Sequence, residues 1–149
     1  MKKILEGSYI KEIYLEDIYY TVNWSPYSKF DKFKILQKVP ELSGLFVVSK
    51  LNNQKQLKPF YLGNSWMGSL RHDIKLLKDE DGPADKKIIS ILEDNECYYK
   101  YIVVMSHMDL EDIYMYYKYY YRDVPYIDQS ITKESGRYKN VYVQENIAG

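Results

Sequence analysis

The chain has 149 residues, the length of one ordinary domain, with 46% hydrophobic and 28% charged residues, which excludes a disordered or a multidomain chain. Lysine plus arginine and aspartate plus glutamate number 21 each, so the formal net charge is zero, and tight non-specific nucleic-acid binding, which needs an excess of base, is disfavoured. Eighteen tyrosines supply rings that bury an apolar body while the hydroxyl stays hydrogen-bonded, a composition that suits nucleobases and proteins equally.

The N-terminus, Met-Lys-Lys-Ile-Leu-Glu-Gly, reads as neither export signal nor membrane anchor, and no run approaches the roughly 20 apolar residues of a span. Residues 8 to 22 mix β-branched, aromatic and acidic residues, and their periodicity allows either a strand pair or a short helix. Asn23-Trp24-Ser25-Pro26-Tyr27 is a turn. A lysine-rich approach follows up to Pro40; from Lys29 to Lys58 the only acids are Asp31 and Glu41. Ser43 to Leu51 and Pro59 to Gly63, with the polar Asn52-Asn53-Gln54-Lys55-Gln56 between them, predict a hairpin.

Asn64-Ser65 offers a helix cap, and Met67, Leu70, Ile74 and Leu77 at helical spacing predict a helix over about 66–78, stopped by Asp79-Glu80-Asp81-Gly82-Pro83. A second helix is expected from Ala84 to Asp94, and Tyr98 to Met105 reads as a central strand. From Asp109, the spacing of Leu110, Ile113, Tyr114 and Tyr117 predicts a third helix, closed by Pro125. Val141-Tyr142-Val143 offers an edge strand in a polar tail. The lone Cys97, inside the third strand, reads as a buried structural thiol, which fits a reducing, cytoplasmic compartment.

The order hairpin, helix, helix, strand, helix over residues 40 to 128 resembles the GIY-YIG nuclease domain. Gly44-Leu45-Phe46 and Tyr61-Leu62-Gly63 stand where its two name-giving tripeptides stand, and Arg71 lies ten residues after Tyr61, the spacing of the catalytic arginine in the nucleotide-excision-repair nucleases. The resemblance implies an α/β (α+β) fold, a hairpin and a third strand packed with three helices. Residues 1–39 would be an N-terminal extension and residues 129–149 a C-terminal tail.

It also implies metal-dependent hydrolysis of DNA phosphodiesters. Tyr61 would orient or activate water, Arg71 would match the charged phosphoryl oxygens, and Glu111 would hold Mg²⁺ or Mn²⁺. Gly44 and Gly63 are backbone devices of the motif. His72, beside Arg71, is either a general base or a surface residue. Trp66 either stacks on a base or plugs the core, and Lys75 is a candidate nucleic-acid contact.

Three positions depart from the family pattern: Phe46 lacks the tyrosine hydroxyl, Asp128 stands where the family has asparagine, and alignment back from Pro125 puts a residue near Tyr116 where the glutamate belongs. A catalytically degenerate module of the same fold, binding nucleic acid or protein, is therefore the alternative. A third reading is an unrelated α/β interaction module whose tyrosine-rich last helix packs in a homodimer. Glu111 also suits simple helix capping, since acids favour a helix's first turn.

Overall fold

The computed structural model describes residues 3–79, 81–82 and 85–146. Among them the chain forms a mixed α+β domain of eight strands in two sheets and four helices: β1 (Ser8–Tyr14), β2 (Asp17–Asn23), β3 (Ser28–Lys29), α1 (Lys32–Lys38), β4 (Gly44–Leu51), β5 (Leu57–Ser65), α2 (Leu70–Leu76), α3 (Lys86–Asp94), β6 (Cys97–Val103), α4 (His107–Tyr120), β7 (Tyr126–Ile127) and β8 (Asn140–Glu145). The larger sheet has the order β3-β6-β4-β5-β7 and the smaller β1-β2-β8.

The hairpin lies at the centre because β4 is apolar on both faces, and a strand covered on both sides needs that. Successive side chains alternate, so Leu45 and Val47 join one core with β2 and α4 while Phe46 and Val48 join another with α1, α2 and α3. Strand β4 pairs antiparallel with both β5 and β6, and β7 runs parallel to β5. Gly44 is required where the sheet is tightest, since a Cβ there would collide with the Ile102 carbonyl oxygen.

Residues 8–23 resolve as strands. Ile18, Tyr20 and Val22 alternate inward and are fully buried, and β1 pairs with β2 through a two-residue turn in which Leu15 takes a positive φ of 55°. Strand β8 joins β2 in parallel, so the segments expected as an extension and a tail make one sheet that shares its core with β4 and α4.

The lysine-rich approach contains a helix that periodicity did not announce. Asp31 caps α1 by accepting from the backbone N–H groups of Phe33 and Lys34, and Ile35 and Val39 are buried beneath it. Helix α2 is shorter than expected, capped by Ser69 rather than by Asn64-Ser65, which continue β5. Glu80 and Pro83, in the expected stop, and Ala84, the expected start of the second helix, lie outside the described residues. Cys97 is buried, and burial pushes its thiol up to about 11. Among the described residues no helix is long and apolar enough to cross a membrane.

Candidate functional site

A cleft of about 310 Å³ opens on the helix-covered side of the hairpin, lined by Phe46, Tyr61, Asn64, Asp73, Leu76, Leu77 and Asp128. The antiparallel register sets Phe46 opposite Gly63. A Cβ at Gly63 would come within 2.6 Å of the Phe46 ring and 2.7 Å of the Tyr61 ring, so the glycine makes room for those rings to stack at 5.7 Å. Between Val48 and Ser49 the register slips, and Tyr61 is the last residue of β5 in the hairpin's upper register before that bulge.

Asp128 reaches the cleft through β7. Its backbone N–H donates to the Leu62 carbonyl (2.9 Å), its own carbonyl accepts from the Tyr114 hydroxyl (2.7 Å), and its Oδ1 accepts from the Ser130 N–H (2.9 Å). Asn64 donates from Nδ2 to Ser130 Oγ (3.0 Å). Asp73, in the first turn of α2, completes the polar lining. Burial, followed by the charges of Asp128 and Asp73, pushes the Tyr61 hydroxyl up to about 12. A phenol held protonated in this way is a hydrogen-bond donor without charge and is a poor base near neutrality.

Arg71 is turned to other partners. Its Nε donates to the Val39 carbonyl (2.7 Å) and its Nη1 to Glu41 (2.6 Å), so the guanidinium satisfies the end of α1 and ties it to α2. Glu111 is occupied at the start of α4, where its Oε1 lies 3.5 Å from His107 Nδ1, and the His107 ring packs at 4.8 Å on Trp66, which is half-exposed. His72 is exposed and Lys75 lies in the last turn of α2.

The residues expected to act together thus fall into three groups: Tyr61 with Phe46 and Asp128 in the cleft, Arg71 with Val39 and Glu41, and Trp66 with His107 and Glu111. Among the described residues no three His, Cys, Asp or Glu side chains gather as a group able to hold a metal ion; the carboxylates lining the cleft are Asp73 and Asp128.

Two further clusters escaped the sequence reading. Asp109 and Asp112 are 1% and 0% exposed, on the core side of α4. Asp109 accepts from the Tyr9 hydroxyl (2.6 Å), Lys11 (2.9 Å) and Arg137 (2.8 Å); Asp112 accepts from the Tyr20 hydroxyl (2.7 Å) and the Ser135 N–H (2.8 Å). Burial alone would raise the Asp109 carboxyl, but hydrogen bonds from Tyr9, Arg137 and Lys11 outweigh it and hold the group below its ordinary value. This clasp joins the small sheet to α4 and to the segment before β8. Two acids three residues apart on an apolar helix face were its only sequence signal.

In the second cluster, the Lys100 ammonium lies 4.5 Å from the Trp24 ring centre, 5.2 Å from Tyr27 and 6.0 Å from Tyr121. Trp24 Nε1 donates to Tyr117 Oη (3.1 Å) and Glu145 (3.0 Å), so the cage bridges β2, α4 and β8.

A family model described as "Uncharacterised protein" matches residues 9–148, a span that includes both sheets, the cleft and both clusters. No curated protein and no solved structure matches the chain.

Proposed function

We propose, for a chain that belongs to the family described as "Uncharacterised protein", a protein-binding module on a GIY-YIG-type fold in which phosphodiester hydrolysis has lapsed. The order from β4 to α4, and the pairing of Phe46 with Gly63 where the two tripeptides meet across the hairpin, support the kinship. One observation carries the loss of hydrolysis: the Arg71 guanidinium is bonded to Val39 and Glu41, and among the described residues the cleft around Tyr61 is lined by two carboxylates and no cationic side chain. Such a cleft repels a phosphodiester rather than stabilising the charge that builds on it in the transition state. The buried free thiol of Cys97 supports a reducing, cytoplasmic setting.

A second reading keeps the enzyme, because Tyr61 and the residue at the family's asparagine position, Asp128, do share one cleft. In that case the partner is DNA, and Asp73 and Asp128 are the carboxylates that would hold Mg²⁺ or Mn²⁺, whose charge would offset that of the phosphodiester. Nitrogen-15 spectra of the Arg71 Nε–H separate the readings. The binding-module reading predicts a protected signal that does not move when a dinucleotide phosphodiester and Mg²⁺ are added. A freely exchanging Nε–H that shifts on that addition would establish the nuclease reading instead.

A further inference from the structure

The cleft has an apolar interior and an unneutralised rim. Phe46, Leu76 and Leu77 form its walls, the Tyr61 ring stacks on Phe46, and Asp73 and Asp128 contribute carboxylates without forming an ion pair among the described residues. Asp128 uses one carboxylate oxygen on the Ser130 N–H, and the Asp73 side chain accepts no hydrogen bond within the described residues. A volume of about 310 Å³ is at the small end of ligand cavities and has room for one extended side chain.

We infer that the cleft is the seat of an arginine side chain presented by a partner protein. This inference rests on the binding-module reading and names the partner group of that site. The stem of an arginine lies along Leu76, Leu77 and Phe46, its planar head stacks on the Tyr61 ring, and its fork of N–H donors meets Asp73 and Asp128. The protonated Tyr61 hydroxyl adds no competing negative charge. Lysine suits the site less well, because a compact ammonium with three diverging donors matches neither a ring face nor a carboxylate as a planar guanidinium fork does. Charge complementarity thus selects a cation, and the apolar walls select one with a hydrocarbon stem over a hydrated metal ion.

The test is a titration of the full chain with N-acetyl-arginine methylamide, following the Tyr61 ring and Asn64 amide signals by NMR. N-acetyl-leucine methylamide, MgCl₂ and a short fluorescent DNA duplex are run in parallel. Saturable shifts with the arginine amide are expected, weakened at least about tenfold in Asp73→Asn and in Asp128→Asn, each a near-isosteric change whose fold the same spectra verify. Equal response to the leucine amide, or no saturable response to the arginine amide, overturns the inference. If that failure comes with an intact duplex, the binding-module reading stands and only the partner group is wrong. If it comes with Mg²⁺-dependent shifts and a cut duplex, both fail.

Discussion

At the scale of single residues, the site is governed by where each charge finds its partner. Tyr61 illustrates this: burial and two neighbouring carboxylates push its hydroxyl up to about 12. Asp128→Asn removes one of those charges, so the pH at which Tyr61 ionises should fall, as an ultraviolet difference titration against Tyr61→Phe would record. Asp109 shifts the other way. Its folded value lies below its unfolded one, so its contribution to stability is complete above about pH 4 and is lost as pH falls through the depressed native value. Melting temperature should therefore decline less steeply on acidification in Asp109→Asn than in the wild type. Arg137→Ala should cost about 3 kcal/mol in chemical denaturation, since it withdraws a cation from two buried carboxylates. The fate of Arg71 was not legible in the sequence. Its spacing from Tyr61 was visible, but Glu41 and Val39 stand 30 and 32 residues away, and only the docking of α1 on α2 brings them to it.

At the scale of elements, legibility followed the simplicity of the pattern. The hairpin β4–β5 and the strand β6 read directly because a double-sided apolar run has few alternatives. Residues 8–22 stayed ambiguous because Glu12, Glu16 and Asp17 interrupt the alternation, and pairing between β1 and β2 decides the matter only in three dimensions. Helix α1 was hidden because its apolar residues do not share one face: Ile35 and Val39 are buried while Phe33 and Leu36, among the lysines, are exposed. Gly44 read as a backbone device of the motif, and the reason is now specific: Gly44→Ala should cost about 3 kcal/mol in urea denaturation, because no rotamer change can clear the Ile102 carbonyl. Ser106→Ala, which removes the side chain that caps α4 through the Asp109 N–H, should cost about 1 kcal/mol by the same assay.

At the scale of the whole molecule, the boundary expected near residues 40 and 128 does not coincide with a boundary in the packing. Strands β1, β2 and β8 cover Leu110, Ile113, Tyr114 and Tyr117 of α4, and the carboxylate clasp and the Lys100 cage both tie that sheet to the rest. A fragment of residues 40–128 should lack fixed tertiary structure by near-ultraviolet circular dichroism and amide dispersion, whereas the full chain should unfold in one transition by both probes. Function is set at this scale too, since the same topology that brings Tyr61, Asp73 and Asp128 to one cleft turns Arg71 toward α1. The most direct measurement is incubation of the full chain with supercoiled and branched DNA in Mg²⁺ and in Mn²⁺, beside Tyr61→Phe, Arg71→Ala, Glu111→Ala and Asp128→Asn proteins of equal foldedness. The account predicts DNA left intact by all five proteins. Metal-dependent cutting by the wild type that is lost in Tyr61→Phe or Arg71→Ala would contradict it.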